Sequence, residues 1–343
     1  MPDIDQYWQS RDWPVVVSTV APLPYRQKPL PEMRVLAIEA TRTWAASGAT
    51  LPAALFPDFG TITTAKPWGG RIEVSADGRP FIHPVAQTLD QALDLTPSPD
   101  NPDCDPAVAL WEHLRDVTGI RDLGFRTPDM QGVLNTAALV LNQEELLTAM
   151  LTDAAKLHRF LERVCDSNLR FATTLLERTG RLDGNLWPYL WLPHRYGIML
   201  IEDYMPLLSP AGFAEFGIPY MKRLADAFGG VFFHCCGEWG RHAKALAESG
   251  MRIRGAEYHY PFTRLEELQE HFAGIVINPV WCGFRKPDFG TRLDYFRHIA
   301  GQLRHGNRLW ITCTTADPDW PAIRAWADAE GFCTEPFSSQ GSP

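Results

Sequence analysis

The feature that most constrains this fold is an alternation that runs through most of the chain: a short apolar run of strand length, then an amphipathic stretch of helix length, then another strand. Apolar runs at 122–126, 196–202, 230–236, 252–258, 274–280 and 307–313 are candidate strands, with Pro14 to Ser18 as an earlier one. Helical spacing covers 31–47, 106–117, 143–154, 154–178, 210–228, 239–249, 263–272, 291–304 and 320–330. Helix starts carry the expected punctuation, such as Ser209-Pro210 and Asp319 before Trp320-Pro321. Strands separated by helix-length crossovers pair in parallel, so the alternation predicts an α/β fold. With about eight strands expected once the N-terminal region is counted, the fold class is a (β/α)₈ TIM barrel. The whole chain, 1–343, reads as one such domain with an N-terminal extension, irregular loops around 51–106 and a short tail at 334–343. A hairpin turning at Asp77-Gly78 is expected within those loops, and the Pro- and Asp-rich stretch 96–106 reads as a surface loop.

Composition narrows the function classes. A chain of 343 residues that is 45% hydrophobic and 21% charged can bury a large core. Its net charge of −9 and the absence of basic runs argue against a nucleic-acid or membrane-surface partner. The first residues, MPDIDQYWQSRDW, have neither the basic start nor the apolar stretch of a signal peptide, and no run approaches membrane-spanning length. Seven cysteines at irregular spacing fit reduced thiols, so a soluble, cytoplasmic protein is expected.

Barrel active sites sit at the C-terminal ends of the strands. His234-Cys235-Cys236 ends one predicted strand, and side chains alternate along a strand, so His234 and Cys236 share a face while Cys235 points away. An imidazole and a thiol so placed suit a tetrahedral zinc ion. Glu257 and Cys313 end later strands and complete a candidate metal set of His234, Cys236, Glu257 and Cys313. Taken singly, each has a plainer reading as a buried polar residue or a core cysteine. His259, two residues after Glu257, is an alternative ligand or a partner to one. Glu202 and Asp203 close another strand and could bind substrate, orient a ligand or form an ion pair. His194-Arg195 fits a rim or a solvated loop, and packing is the expectation for Cys235 and Cys282.

These residues resemble the uroporphyrinogen decarboxylase superfamily, and within it the zinc-dependent methylcobamide:thiol methyltransferases. The resemblance runs from about Leu51 to Trp326. It is carried best by IEDYMPLLSPAGFAEFGIPYMKRLADAFGGVFFHCCGEW (201–239), and TPDMQGVLNTAALVL (127–141) is similar to a strand and loop of the family. The family is a (β/α)₈ barrel. Decarboxylases of the family carry an Arg-rich N-terminal grip, echoed here only by YRQKPLPEMR (25–34). Their C-terminal Gly-His-Gly is replaced by Thr312-Cys313-Thr314, and their catalytic Tyr has no counterpart in 131–142. The resemblance thus implies zinc on His234, Cys236 and Cys313, with Glu257 as an exchangeable ligand, although Thr312-Cys313-Thr314 departs from the usual Gly-Cys-Gly. Asp58, in ALFPDFG, is similar to the essential Asp of the decarboxylases and keeps that activity open.

Zinc with two thiolates and a carboxylate carries a net negative charge, which suits keeping a thiolate nucleophilic better than activating water. The implied reaction moves a methyl group from a methylated corrinoid to a thiol or similar acceptor, such as coenzyme M, another thiol or a folate. Glu257, Asp203 and Asp58 are the candidate catalytic carboxylates. No Asp-x-His-x-x-Gly corrinoid motif occurs, so methylcobamide would arrive free or on a separate corrinoid protein. Trp187, Trp191, Trp239 and Trp281 are candidate walls for the corrinoid ring, against ordinary packing for each. The rival functions are a metal-free decarboxylase of a carboxylated tetrapyrrole and a non-catalytic corrinoid-binding protein.

Overall fold

A computed structural model describes residues 4–10, 12–76, 78–184, 189–282 and 288–337. Its strands are β1 (Val15–Val20), β2 (Ala54–Leu55), β3 (Ile72–Val74), β4 (Pro80–Ile82), β5 (Gly124–Phe125), β6 (Ile198–Ile201), β7 (Val231–Cys235), β8 (Ile253–Tyr260), β9 (Val276–Trp281) and β10 (Arg308–Thr314). Six of them form one parallel sheet in the order β1-β10-β9-β8-β7-β6. A second parallel pair joins β2 to β5, and β3 and β4 form the expected hairpin, of whose turn Asp77 lies outside the described residues. Between the pair and the large sheet there are isolated contacts instead of ladders, including a parallel bridge between Gln131 and Ile201 in which Gly132 N donates to Ile201 O (2.8 Å). Leu51 N donates to Thr19 O (3.1 Å) on one side, and Ile201 N donates to Met130 O (3.0 Å) on the other.

The strands of the large sheet are mainly apolar on both faces, as parallel strands buried on both sides must be. In β7 every residue is buried. Paired residues of parallel strands face the same way, and the register links Phe232 to Gly255 to Val276 to Arg308, then His234 to Glu257 to Asn278. One face therefore carries the even positions of β7, β9 and β10 but the odd positions of β8. Its lower part is a core of Val16, Met199, Phe232, Val276 and Trp310. The opposite face, with Val17, Phe233, Ile277 and Ile311, packs against the helices.

The N-terminal segment closes the starts of these strands. In the helix Ile4–Gln9, Tyr7 meets Trp310 edge-on at 4.7 Å, Trp8 Nε1 donates to Trp191 O (2.9 Å), and Arg308 donates to Tyr7 O. The expected helix 210–228 is two helices, Pro210–Phe216 and Ile218–Phe228. The break has a local cause. The Phe213 ring packs where a Cβ on Gly217 would lie (2.3 Å), and Pro219 restricts the residue before it. The unforeseen helix Val133–Val140 is buried almost all round, so it lacks the amphipathic period that reveals a surface helix. No described helix is long and apolar enough to cross a membrane.

Candidate metal centre and its cavity

The ends of β7 and β8 bring His234 and Glu257 together side by side, because their backbones are paired in register. His234 Nδ1 and Glu257 Oε1 are hydrogen-bonded, and His259 Nε2 lies 3.1 Å from the same oxygen. On its other side, His234 Nε2 lies 3.6 Å from Asp203 Oδ1, and that oxygen accepts the backbone N–H of Cys236 (2.8 Å). Two sets of metal-type donors thus meet at one ring. Asp203, His234 and Cys236 form one set, and His234, Glu257 and His259 the other, with the donor atoms of each within 4.8 Å of one another. Asp203 and Cys236 are exposed, whereas His234 and Glu257 are buried.

Electrostatics bind the buried half. Burial works to raise the Glu257 pKa, but the rings of His234 and His259 outweigh it and hold the group at about 2. Burial works to lower the His234 pKa, yet Glu257, Cys236 and Asp203 keep it well above its ordinary 6.5. His259 is held at about 9 against burial by Cys282 and Glu257.

Asp203, His234, Cys236 and His259 face a cavity of about 440 Å³ whose other walls include Arg26, Asp129, Gln131, Trp281 and Cys282. That volume suits a small molecule. Cys282, expected to be simple packing, lies 3.6 Å from His259 Nδ1. Cys235 is buried in the core behind the strand, as alternation requires.

Cys313 does not join either donor set. It sits at an odd position of β10, packs with Ile311 toward the helices, and lines a second cavity of about 220 Å³ that Glu257 also reaches. Burial raises its thiol to about 12 despite Arg292. Among the tryptophans, Trp281 borders both cavities. Trp239 is fully buried, 4.9 Å from the Phe233 ring, and Trp191 lies in the core beneath the site under Arg126. Both are therefore core residues and not cavity walls. Trp187 lies outside the described residues. Arg195 pairs with Asp5 of the N-terminal helix, which places His194-Arg195 before β6, at the end away from the site.

Asp58 is buried with both oxygens engaged. Oδ2 accepts from Arg26 Nε (3.0 Å) and Oδ1 from Gly60 N (3.0 Å), while Arg26 Nη1 donates to the Tyr189 hydroxyl (2.7 Å). Asp129 was missed by sequence reasoning, although its place just past β5 obeys the strand-end rule. Burial and nearby Asp58 push its carboxyl to about 7, and Gln131 Nε2 donates to it (2.6 Å).

No family model matches the chain, and no curated protein matches it. Among solved structures it is similar to a methyltransferase from Methanosarcina mazei, with a TM-score of 0.64 and 14% identity over 93% of this chain and 95% of that one. At that identity the likeness speaks for a shared fold.

Proposed function

We propose that this chain is a metal-dependent methyltransferase, moving a methyl group from a methylated corrinoid to a thiol or similar small acceptor. The observation that carries the reading is the meeting of nitrogen, sulfur and oxygen donors at the ends of adjacent parallel strands, open to one cavity. The fold likeness to a methyltransferase agrees with it. Closure of the eight parallel strands into a barrel completes the reading, supported by the hydrogen bonds that tie the segments just before β2 and just after β5 to the edges of the large sheet.

The donor set suits zinc, which takes His, Cys and carboxylate ligands. His234 and Cys236 would hold it, and a bound zinc would keep an acceptor thiol in its thiolate form at neutral pH. The chain's own residues do the remaining work. Glu257 fixes the ring of His234, and Trp281 walls the cavity on its apolar side. The Asp129 carboxyl, at about 7, is suited to take the proton an entering thiol gives up. A cavity of about 440 Å³ admits the acceptor, not a corrinoid ring, so the methyl donor would dock over the mouth, free or on a separate corrinoid protein.

The test is metal content by mass spectrometry on protein purified without a metal-affinity tag. The expected result is about one zinc per chain, lost in Cys236→Ala. No zinc in the wild type after reconstitution would overturn the reading. A decarboxylase reading draws on one observation, the pairing of Arg26, from the faint Arg-containing segment, with Asp58 beside the cavity. It predicts activity that survives chelators and disappears in Asp58→Asn.

A further inference from the structure

The two donor sets share His234, and a single ion can use only one nitrogen of its ring. We propose that the metal binds at His234 Nε2 with Cys236 and Asp203 as protein ligands, while Glu257 is a positioning residue that holds the ring through Nδ1. This inference rests on the metal reading above and names its ligands.

Three observations carry it. The first is spacing. Zinc bonds of about 2.0–2.2 Å in tetrahedral array put neighbouring N and O ligand atoms roughly 3.3–3.6 Å apart. His234 Nε2 and Asp203 Oδ1 stand at 3.6 Å, a gap an ion can bridge. His234 Nδ1 and Glu257 Oε1 are in direct hydrogen-bond contact, with no room for an ion between them.

The second is bonding. Glu257 Oε1 meets two imidazole nitrogens, His234 Nδ1 and His259 Nε2. A carboxylate that accepts Nδ1–H fixes the tautomer whose lone pair is on Nε2. This is the usual arrangement behind a metal-bound histidine. The third is access. Asp203, His234 and Cys236 line the cavity of about 440 Å³. Glu257 instead reaches the smaller cavity of about 220 Å³ behind it. An acceptor entering the larger cavity would therefore meet Asp203, not Glu257, as the carboxylate it displaces.

The test uses the full chain loaded with Co²⁺ as a coloured substitute for zinc, and reads spectra and affinity instead of turnover. Asp203→Asn should shift the visible ligand-field band and keep the near-ultraviolet thiolate band. Glu257→Gln, which retains an oxygen acceptor for Nδ1–H, should keep both bands and lose roughly 10–100-fold in affinity. Far-ultraviolet circular dichroism checks that each variant is folded. A zinc-loaded wild-type sample with isotope-labelled histidine gives a reading that needs no variant: His234 should be protonated at Nδ1 and metal-shifted at Nε2.

A ligand-field shift in Glu257→Gln, or none in Asp203→Asn, would overturn the ligand assignment while leaving a metal site in place. So would a metal-shifted Nδ1. Absence of both bands in the Co²⁺-treated wild type would overturn the metal reading itself.

Discussion

Two buried glutamates flank the end of β7, and they have opposite electrostatic fates. Glu257, on β8, and Glu202, just past β6, are 1% and 2% exposed. Glu257 has two imidazoles on its carboxylate and is held at about 2. Glu202 is pushed to about 8 by burial and by its neighbour Asp203, and among the described residues its Oε2 has no hydrogen-bond partner. Its carboxyl lies against the backbone of Gly132, where a Cβ would come within 1.9 Å of Oε1. Burial is the same for both, so the partners decide the charge. One side of β7 is built to hold a charge and the other to hold a neutral acid.

Removing the favoured charge should have the largest effect. Glu257→Ala leaves the buried ring of His234 and the half-buried ring of His259 without their counter-charge and should cost about 3–5 kcal/mol of stability, measured by urea unfolding of the metal-free protein at pH 7. The pH dependence has a definite sign. The folded pKa of Glu257 is depressed from 4.5 to about 2, so its contribution is present above pH 4.5 and is lost as pH falls toward 2. A loss under about 1 kcal/mol at pH 7 would mean that the pair is not formed in solution.

Glu202→Gln should go the other way. The folded pKa is raised from 4.5 to about 8, so the stability of the neutral form is fully present below pH 4.5 and is lost as pH rises through 8. The variant should match the wild type near pH 4.5 and gain roughly 2–4 kcal/mol by pH 8. An equal effect at both pH values would break the comparison, because it would be packing and not ionisation.

Metal uptake comes next. The pKa of His234 stands above its ordinary 6.5 in the metal-free protein, so an incoming ion must displace a proton from the ring. Zinc takes cysteine as the thiolate, so Cys236 gives up a proton as well, and affinity should rise about a hundredfold per pH unit between pH 6 and 7, about 1.4 kcal/mol for each of the two protons released. Calorimetry in buffers of different ionisation enthalpy counts the protons, and a count of one in place of two would show that the site is not on this ring.

The sequence made one side of this comparison legible. Alternation along one strand puts His234 and Cys236 on a face, and strand ends are where a parallel α/β fold gathers its chemistry, so the placement of His234, Cys236 and Glu257 at neighbouring strand ends could be read in advance, though not which of them would hold a metal. Cys313 could not be placed in the same way. Whether an odd or an even position faces the site depends on register between strands, and this sheet uses odd positions on β8 but even ones on β7, β9 and β10. Local pattern holds no information on that offset. Trp191 and Trp239 were equally ambiguous, because an indole packs as well beneath a site as beside it. Helix Val133–Val140 was hidden by its own burial. Asp129 was readable by the strand-end rule, but β5 is two residues long and gave the rule little to act on.

The smallest effect tests why Glu202 is neutral. Two causes raise its pKa, burial first and the adjacent Asp203 second, and they separate experimentally. A double-mutant cycle with Glu202→Gln and Asp203→Asn isolates the repulsion between the two carboxylates, since each substitution removes one charge and keeps the side-chain shape. Where both groups are ionised in the wild type, above pH 8, the cycle should give a coupling on the order of 1 kcal/mol. At pH 5, with Glu202 protonated in the folded state, the coupling should fall to near zero. A coupling that persists at pH 5 would assign the link to packing or hydrogen bonding. No coupling at either pH would leave burial as the sole cause, and the contrast with Glu257 would then rest entirely on the two imidazoles that Glu257 has and Glu202 lacks.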